Sequence, residues 1–312
     1  MRSPNLLGLQ TAEAILVLVA LVAAACGTEP TAEKCTPAPA VHESSRQHAD
    51  HIAIDVRFQS GCITLAGTLY QPPTDGPHPT MVFLHGSGEA PRLGFGGPWI
   101  TTPLVDAGVA VMTYDKRGAG KSQGDCCSID DGFEALASDG LAAIDALLER
   151  DDVGPIGLLG VSQGGWVIAK MVDQSDDVDF TVIFSGTAVS VGEEIEYSRL
   201  TGGENFLPDH IDLEDVLEQV RQAGPSGFDP RPLLRTSRIP GLWIFGARDG
   251  SQPTRLDVEV LEQFNAEERT NFTIEVFPDL GHDTTHDPKA ITTMLAWIER
   301  TLESTATFGR EE

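Results

Sequence analysis

Basic residues are scarce in this chain of 312 residues: 21 Lys and Arg stand against 47 Asp and Glu, a formal net charge of −26 with His neutral. A surface of that sign repels phosphate backbones, which argues against nucleic acid as a partner, and its plain consequence is solubility. Long apolar runs are missing too. The stretch Ala14–Ala25 covers about 12 residues, whereas a helix needs roughly 20 to cross a bilayer, and no later segment is longer and equally apolar. Among the five cysteines no Cys-x-x-Cys spacing occurs, so the usual zinc signature is absent. There is no internal repeat, and nothing in the sequence calls for a metal or cofactor. With 41% hydrophobic residues, the chain can fill one large core. Setting aside a leader and a tail leaves roughly 260 residues, the size of one α/β domain.

The apolar stretch near the start, preceded by Arg2, has the length of a signal-peptide core. It ends in Val22-Ala23-Ala24-Ala25-Cys26-Gly27. Small residues before a cysteine resemble a bacterial lipobox, after which Cys26 becomes the lipidated first residue; plain secretion with cleavage after an Ala-x-Ala site is the alternative. Residues 1–25 are thus expected to be a lipoprotein signal peptide. Residues 26–50, rich in Thr, Pro, Ala and Glu without apolar period, are expected to be a flexible spacer. The protein is then exported, at the bacterial cell envelope, held to the membrane by its N-terminal lipid. Outside the cytoplasm Cys35, Cys62, Cys126 and Cys127 can form disulfides. Their pairing stays open, a vicinal Cys126–Cys127 bridge and free packed thiols included.

From residue 51 to about 305, strand and helix signals alternate. Ile52, Ile54, Val56 and Phe58 alternate with polar residues as in a half-buried strand, and after the turn at Gly61, Ile63–Tyr70 is its antiparallel partner. Short apolar runs at Thr80–Leu84, Gly108–Tyr114, Ile156–Leu159, Val178–Phe184, Gly241–Phe245 and Phe272–Phe277 suit strands covered on both faces. Helical patterns fall at Asp131–Arg150, Gln163–Val172 and Pro288–Leu302. This order predicts a mostly parallel twisted sheet of about eight strands with helices on both faces. Between about 187 and 239 the alternation stops. The stretch is too long for a plain loop and is expected to be a helical cap over the site. Residues 306–312 are expected to be a tail.

Gly160-Val161-Ser162-Gln163-Gly164 lies where a strand meets a helix. A serine there occupies a tight, strained turn that exposes its hydroxyl, and the Gln163 amide at the helix N-terminus can bind an oxyanion. A serine alcohol needs a base. Strand Phe272–Phe277 runs into Pro278-Asp279-Leu280-Gly281-His282, and strand Gly241–Phe245 into Gly246-Ala247-Arg248-Asp249-Gly250, so an imidazole and a carboxylate reach the same sheet edge. Asp249 would fix the tautomer of His282. Asp279 is the rival acid, although its place three residues before His282 suits a turn better.

With these residues the chain resembles the α/β-hydrolase superfamily, whose signature is Gly-x-Ser-x-Gly and whose triad follows in the order Ser162, Asp249, His282. It is most similar to the bacterial esterase and serine-aminopeptidase-like branch, through Val82-Phe83-Leu84-His85-Gly86-Ser87-Gly88 and Tyr114-Asp115-Lys116-Arg117-Gly118-Ala119-Gly120-Lys121-Ser122. The resemblance implies a second oxyanion amide from Ser87, and loop-shaping roles for His85, Asp115 and Arg117. It implies hydrolysis of a small acyl ester through an acyl-enzyme. A serine-aminopeptidase-type peptidase is the alternative, with Glu193, Glu194 and Glu196 holding a substrate ammonium. Thioesterase or acyltransferase chemistry would use the same triad, and a non-catalytic binding protein on this scaffold is the reading from another class. Two segments mimic other motifs. Asp115–Ser122 looks like a P-loop but has Asp115 where the first glycine belongs, and His282-Asp283-Thr284-Thr285-His286 looks like a zincin helix but follows a strand and precedes Pro288. His48 and His51 read as solvated. Oligomeric state is not legible.

Overall fold

The computed structural model describes residues 39–92, 97–126, 129, 131–267 and 270–308. The expected signal peptide, the expected lipidation site Cys26, the start of the spacer, Cys35 and Cys127 lie outside the described residues. Cys62 and Cys126 are each disulfide-bonded, so neither is a free thiol.

The alternating segment near residue 52 becomes β2 (Ile52–Ser60), which turns at Gly61 and pairs along its whole length with β3 (Ile63–Gln71), antiparallel. Val56 and Phe58 are buried while Arg57 between them is only partly so, as the period of a strand requires. The spacer ends earlier than its composition suggested. Val41–Gln47 forms β1, antiparallel to β2, inside the stretch expected to be flexible. Its described side chains are exposed. The strand is held by the ladder and by Arg46, whose Nη1 and Nη2 reach Asp55 Oδ2 and Oδ1 at 2.6 and 3.1 Å. An edge strand of this kind carries no apolar period to read.

The apolar runs become β4 (His78–Leu84), β5 (Ala110–Tyr114), β6 (Val153–Val161), β7 (Phe180–Phe184), β8 (Gly241–Gly246) and β9 (Phe272–Phe277). The described residues form a nine-stranded sheet in the order β1-β2-β3-β5-β4-β6-β7-β8-β9, parallel from β5 to β9. Side chains alternate between two cores. Val82 and Leu84 face α2 (Glu134–Leu148) and α3 (Gly164–Gln174); Met81 and Phe83 face α1 (Gly97–Asp106) and α8 (Pro288–Phe308). Burial on both faces is why β4 to β8 read as apolar runs; β9, at the sheet edge, is only partly covered beyond Phe272, with Val276 exposed, so the expectation of cover on both faces fails there. Helix α8 extends into the expected tail, ending at Phe308.

The chain leaves β4 to one side to make β5 and returns on the other side as β6. At such a reversal the loops beyond the carboxyl ends of β4 and β6 splay apart, leaving a crevice. Between β7 and β8 the expected cap is present as α4 (Val191–Thr201), α5 (Leu213–Ala223) and α6 (Arg231–Thr236). Tyr197, Val216, Leu217 and Val220 of the cap pack on Leu256 of α7 (Thr254–Ala266). Among the described residues no helix is long and apolar enough to cross a membrane.

Candidate active site

Ser162 follows β6 directly and has φ +53°, left-handed backbone that a residue with a Cβ occupies at a cost of order 1–3 kcal/mol. Its amide bonds Phe184 O at 2.9 Å and its carbonyl accepts from Gly165 N at 2.9 Å, holding the turn from both sides. The second glycine of the motif answers to close packing: a Cβ at Gly164 would lie 2.5 Å from Leu84 O. So β4 and α3 can touch only where that side chain is missing, and the start of α3 is drawn to the crevice.

Asp249, buried after β8, accepts from Ser251 N at 2.7 Å and Gln252 N at 2.8 Å through Oδ1. That leaves Oδ2 for His282 Nδ1, at 2.8 Å. Two amides on Oδ1 and one imidazole N–H on Oδ2 engage both oxygens and orient the carboxylate. Burial alone would push the imidazole pKa down; the hydrogen bond to Asp249 and the negative charges of Asp249, Glu194 and Asp283 outweigh it, and the net shift is upward. The loop of His282 is tied to the cap: its amide donates to Asn205 O at 2.7 Å, and Asp283 N to Asn205 Oδ1 at 2.7 Å. Gly281 matters for proximity, since a Cβ there would fall 2.2 Å from Asn205 O. Asp279 is exposed in the preceding turn, away from this pair.

Ser162 and His282 line one cavity of about 270 Å³ together with Gly86, Ser87, Pro91 and Thr285. The hydroxyl is not bonded to the imidazole here. Ser162 Oγ takes a hydrogen bond from Gln252 Nε2 at 3.3 Å, and a catalytic contact of this kind commonly forms only when substrate is bound. Ser87, beyond β4, lines the same cavity as Ser162, and Gln163 follows Ser162 as the N-cap residue of α3.

The neighbouring loops are built as the motifs suggested. His85 is buried, its Nε2 donates to Tyr114 O at 2.8 Å, and burial pulls its pKa down to about 4, so it is neutral. Asp115 accepts from Arg92 N at 2.7 Å and Lys121 N at 2.8 Å, and Arg117 grips Asp139 through two bonds of 2.7 Å. The P-loop-like segment is therefore folded around Asp115, the residue that breaks the motif.

The three cap glutamates have different partners. Glu193 closes a capping box with Ser190 and pairs with Arg231 Nη2 at 2.8 Å, and Glu196 pairs with Arg199 at the surface. Glu194 stands near His282 and Asp249; burial, reinforced by Asp249 and opposed by His282, raises its pKa to about 7. Sequence reasoning missed Gln252, Asn205 and Tyr197, whose hydroxyl donates to Asp249 O at 2.8 Å. Only Gln252, three residues after Asp249, left a signal, its nearness to a candidate acid.

The family described as serine aminopeptidase, S33, matches residues 75–209. Esterase EstD of Thermotoga maritima is 27% identical over 244 residues, 70% of this chain and 57% of that protein. Human acyl-coenzyme A thioesterase 1 is 26% identical over 240 residues, 69% of this chain and 51% of its own length. The chain thus spans little more than half of these relatives. Among solved structures, the Pyrococcus furiosus esterase Pf2001 superposes with a TM-score of 0.59 at 17% identity, covering 86% of this chain and 99% of that one. Acetyl xylan esterase 1 from Thermoanaerobacterium sp. JW/SL YS485 gives 0.55 at 22% identity, with 84% and 87% covered. The fold is that of the α/β-hydrolases. Within it, the Ser162 turn joins β6 to α3, and the β7–β8 insertion carries α4, α5 and α6.

Proposed function

We propose that this chain is a serine hydrolase of carboxylic esters, with Ser162 as nucleophile, His282 as general base and Asp249 as the base's partner. The observation that carries the reading is convergence: a strained serine and a carboxylate-bound histidine, 120 residues apart in sequence, share one cavity. As substrate enters, the hydroxyl turns from Gln252 to the imidazole. Ser162 Oγ attacks the ester carbonyl carbon while His282 takes the hydroxyl proton. The carbonyl oxygen, now an oxyanion, is held by the amides of Gln163 and Ser87, each worth on the order of a hundredfold in rate or more. Collapse breaks the bond to the alcohol oxygen, which leaves with the proton from His282. Water then attacks the acyl-enzyme by the same route and frees the acid.

A cavity of about 270 Å³ faced by Gly86, Ala90, Pro91 and Val161 suits small to medium acyl groups. The test is hydrolysis of p-nitrophenyl acetate and butyrate by the chain and by Ser162→Ala. Turnover should fall by about a thousandfold or more in the variant with thermal unfolding nearly unchanged; a variant that still turns over removes Ser162 as nucleophile. The likeness to an esterase supports the ester reading, and that to an acyl-coenzyme A thioesterase makes thioesters the first extension of the panel. Cleavage of a peptide bond next to a free amine is the second reading, favoured by Glu194 near His282 and Asp249; aminoacyl anilides distinguish it. The absence of labelling by a fluorophosphonate would favour a binding protein instead.

We further infer, from the sequence, export and a lipid tether at Cys26. Incorporation of an alkynyl fatty acid into the full chain in a bacterial host, lost in Cys26→Ser, is the expected result; equal labelling of both would remove the tether.

A further inference from the structure

Lys116, two residues beyond the end of β5, has its ammonium buried, with three acceptors in reach: Gly86 O at 2.8 Å, Gly88 O at 3.2 Å and Gln163 Oε1 at 2.7 Å. Every one of these is neutral. A lysine buried without a carboxylate partner is costly, and burial here draws its pKa down to about 8. What the three acceptors share is location. Two belong to the loop after β4 and one to the first residue of the α3 turn, the two segments assigned above to the oxyanion.

The orientation of a peptide unit follows from either of its ends. The Gly86–Ser87 bond is trans, as the described cis bond is at Gly76–Pro77, so the Gly86 carbonyl and the Ser87 N–H lie in one plane and point opposite ways. Drawing the carbonyl onto the ammonium turns the N–H away from Lys116. The same cation takes the Gln163 side chain, fixing the residue whose backbone amide is assigned above to the oxyanion. A charge behind a peptide carbonyl also polarises the unit, enriching the positive end of the N–H dipole.

We propose that Lys116 is a positioning residue for the oxyanion site, its ammonium aligning the peptide of Ser87 and the side chain of Gln163 as one unit. It touches no substrate. It acts through the two amides, and therefore on the transition state rather than on ground-state binding. The proposal rests on the nucleophile assignment above but not on the ester as substrate, and its test is chosen accordingly.

Lys116→Met keeps most of the stem and removes the charge and its three bonds. Two readouts are taken on the full chain. The first is the second-order rate of Ser162 labelling by a fluorophosphonate, whose phosphoryl oxygen enters the oxyanion site whatever the natural substrate. The second is kcat and KM on p-nitrophenyl acetate. Labelling and kcat should both fall by about 10- to 100-fold, with KM within about threefold of the parent. Gln163→Leu, which keeps the amide and loses one of the acceptors, should slow labelling in the same sense by a smaller factor. A lysine that only fills space would lower thermal stability and leave labelling of the folded fraction at the parental rate, and that result overturns the proposal. So does a change confined to KM. If Lys116→Met does not fold, parental labelling in Gln163→Leu overturns it. Loss of ester turnover in the parent with labelling retained would instead count against the ester reading and leave this measurement intact.

Discussion

His282 Nδ1 and Asp249 Oδ2 lie 2.8 Å apart on loops that leave two adjacent parallel strands, β9 and β8. Register makes this possible. Gly246 pairs with Phe277, so both strands end level, and the carboxylate and the imidazole emerge from the same rim.

The pH profile follows from that contact. The base acts as neutral imidazole, so kcat/KM should rise with pH through the His282 pKa, which is displaced upward from its ordinary value. In Asp249→Asn, burial, which lowers the pKa, remains, while the hydrogen-bonded negative charge that raises it is gone. The acid limb should then move to lower pH, and kcat should fall by roughly a thousandfold or more. A limb that stays in place would mean another group sets it.

Gln252 bears on the resting state. Its Nε2 holds Ser162 Oγ at 3.3 Å, and its Oε1 is buried without a partner, so the amide gains little from the contact. If it only parks the hydroxyl, Gln252→Leu should leave kcat/KM at or above the parental value. A loss beyond about tenfold would give the amide a place in the chemistry.

What was legible in the sequence follows from how local each signal is. Ser162 and Asp249 stand just past the buried ends of β6 and β8, and His282 past the partly buried edge strand β9, so an apolar run ending near the right residue type marked each. The pairing of His85 with Tyr114, and that of Asn205 with the His282 loop, join residues far apart in the chain, and no local pattern reports them. Strand β1 and helix α7 escaped for another reason. The first is a polar edge held by its ladder, and the second begins after Pro253 with no side-chain cap to announce it. The three cap glutamates looked alike as a run and separate only through their partners, Arg231, Arg199 and the His282–Asp249 pair.

Those partners predict different costs. Glu193 closes the Ser190 box and meets Arg231 in a largely buried pair, so Glu193→Ala should lose about 2 kcal/mol, after discounting for the partly exposed arginine. Glu196 pairs with an Arg199 side chain that is 62% exposed, and Glu196→Ala should leave stability nearly unchanged. Denaturant midpoints measured side by side decide it; equal losses would mean the cap is not anchored at Ser190.

Asp257 gives the sharpest sign. It is fully buried on α7, with Oδ1 accepting from Thr187 Oγ1, Ala188 N and Val189 N, while Oδ2 is buried without a partner. Burial raises its pKa to about 8, the three hydrogen bonds opposing and Asp249 adding to the rise. The folded chain therefore keeps a proton on this carboxyl that the unfolded chain has lost above its ordinary pKa near 3.8. Wherever the folded state binds more protons, stability falls as pH rises. The decline should run from about pH 4 to pH 8 and level off above, once both states have given up the proton. Asn at this position keeps an oxygen for the same three donors and cannot ionise. Asp257→Asn should thus match the parent near pH 4 and exceed it at pH 8, with this part of the slope gone. Chemical denaturation of both proteins at a series of pH values measures it. A parent more stable than the variant at pH 8 would mean that the ionised carboxylate, held by those donors, is the form the β7–α4 loop is built around.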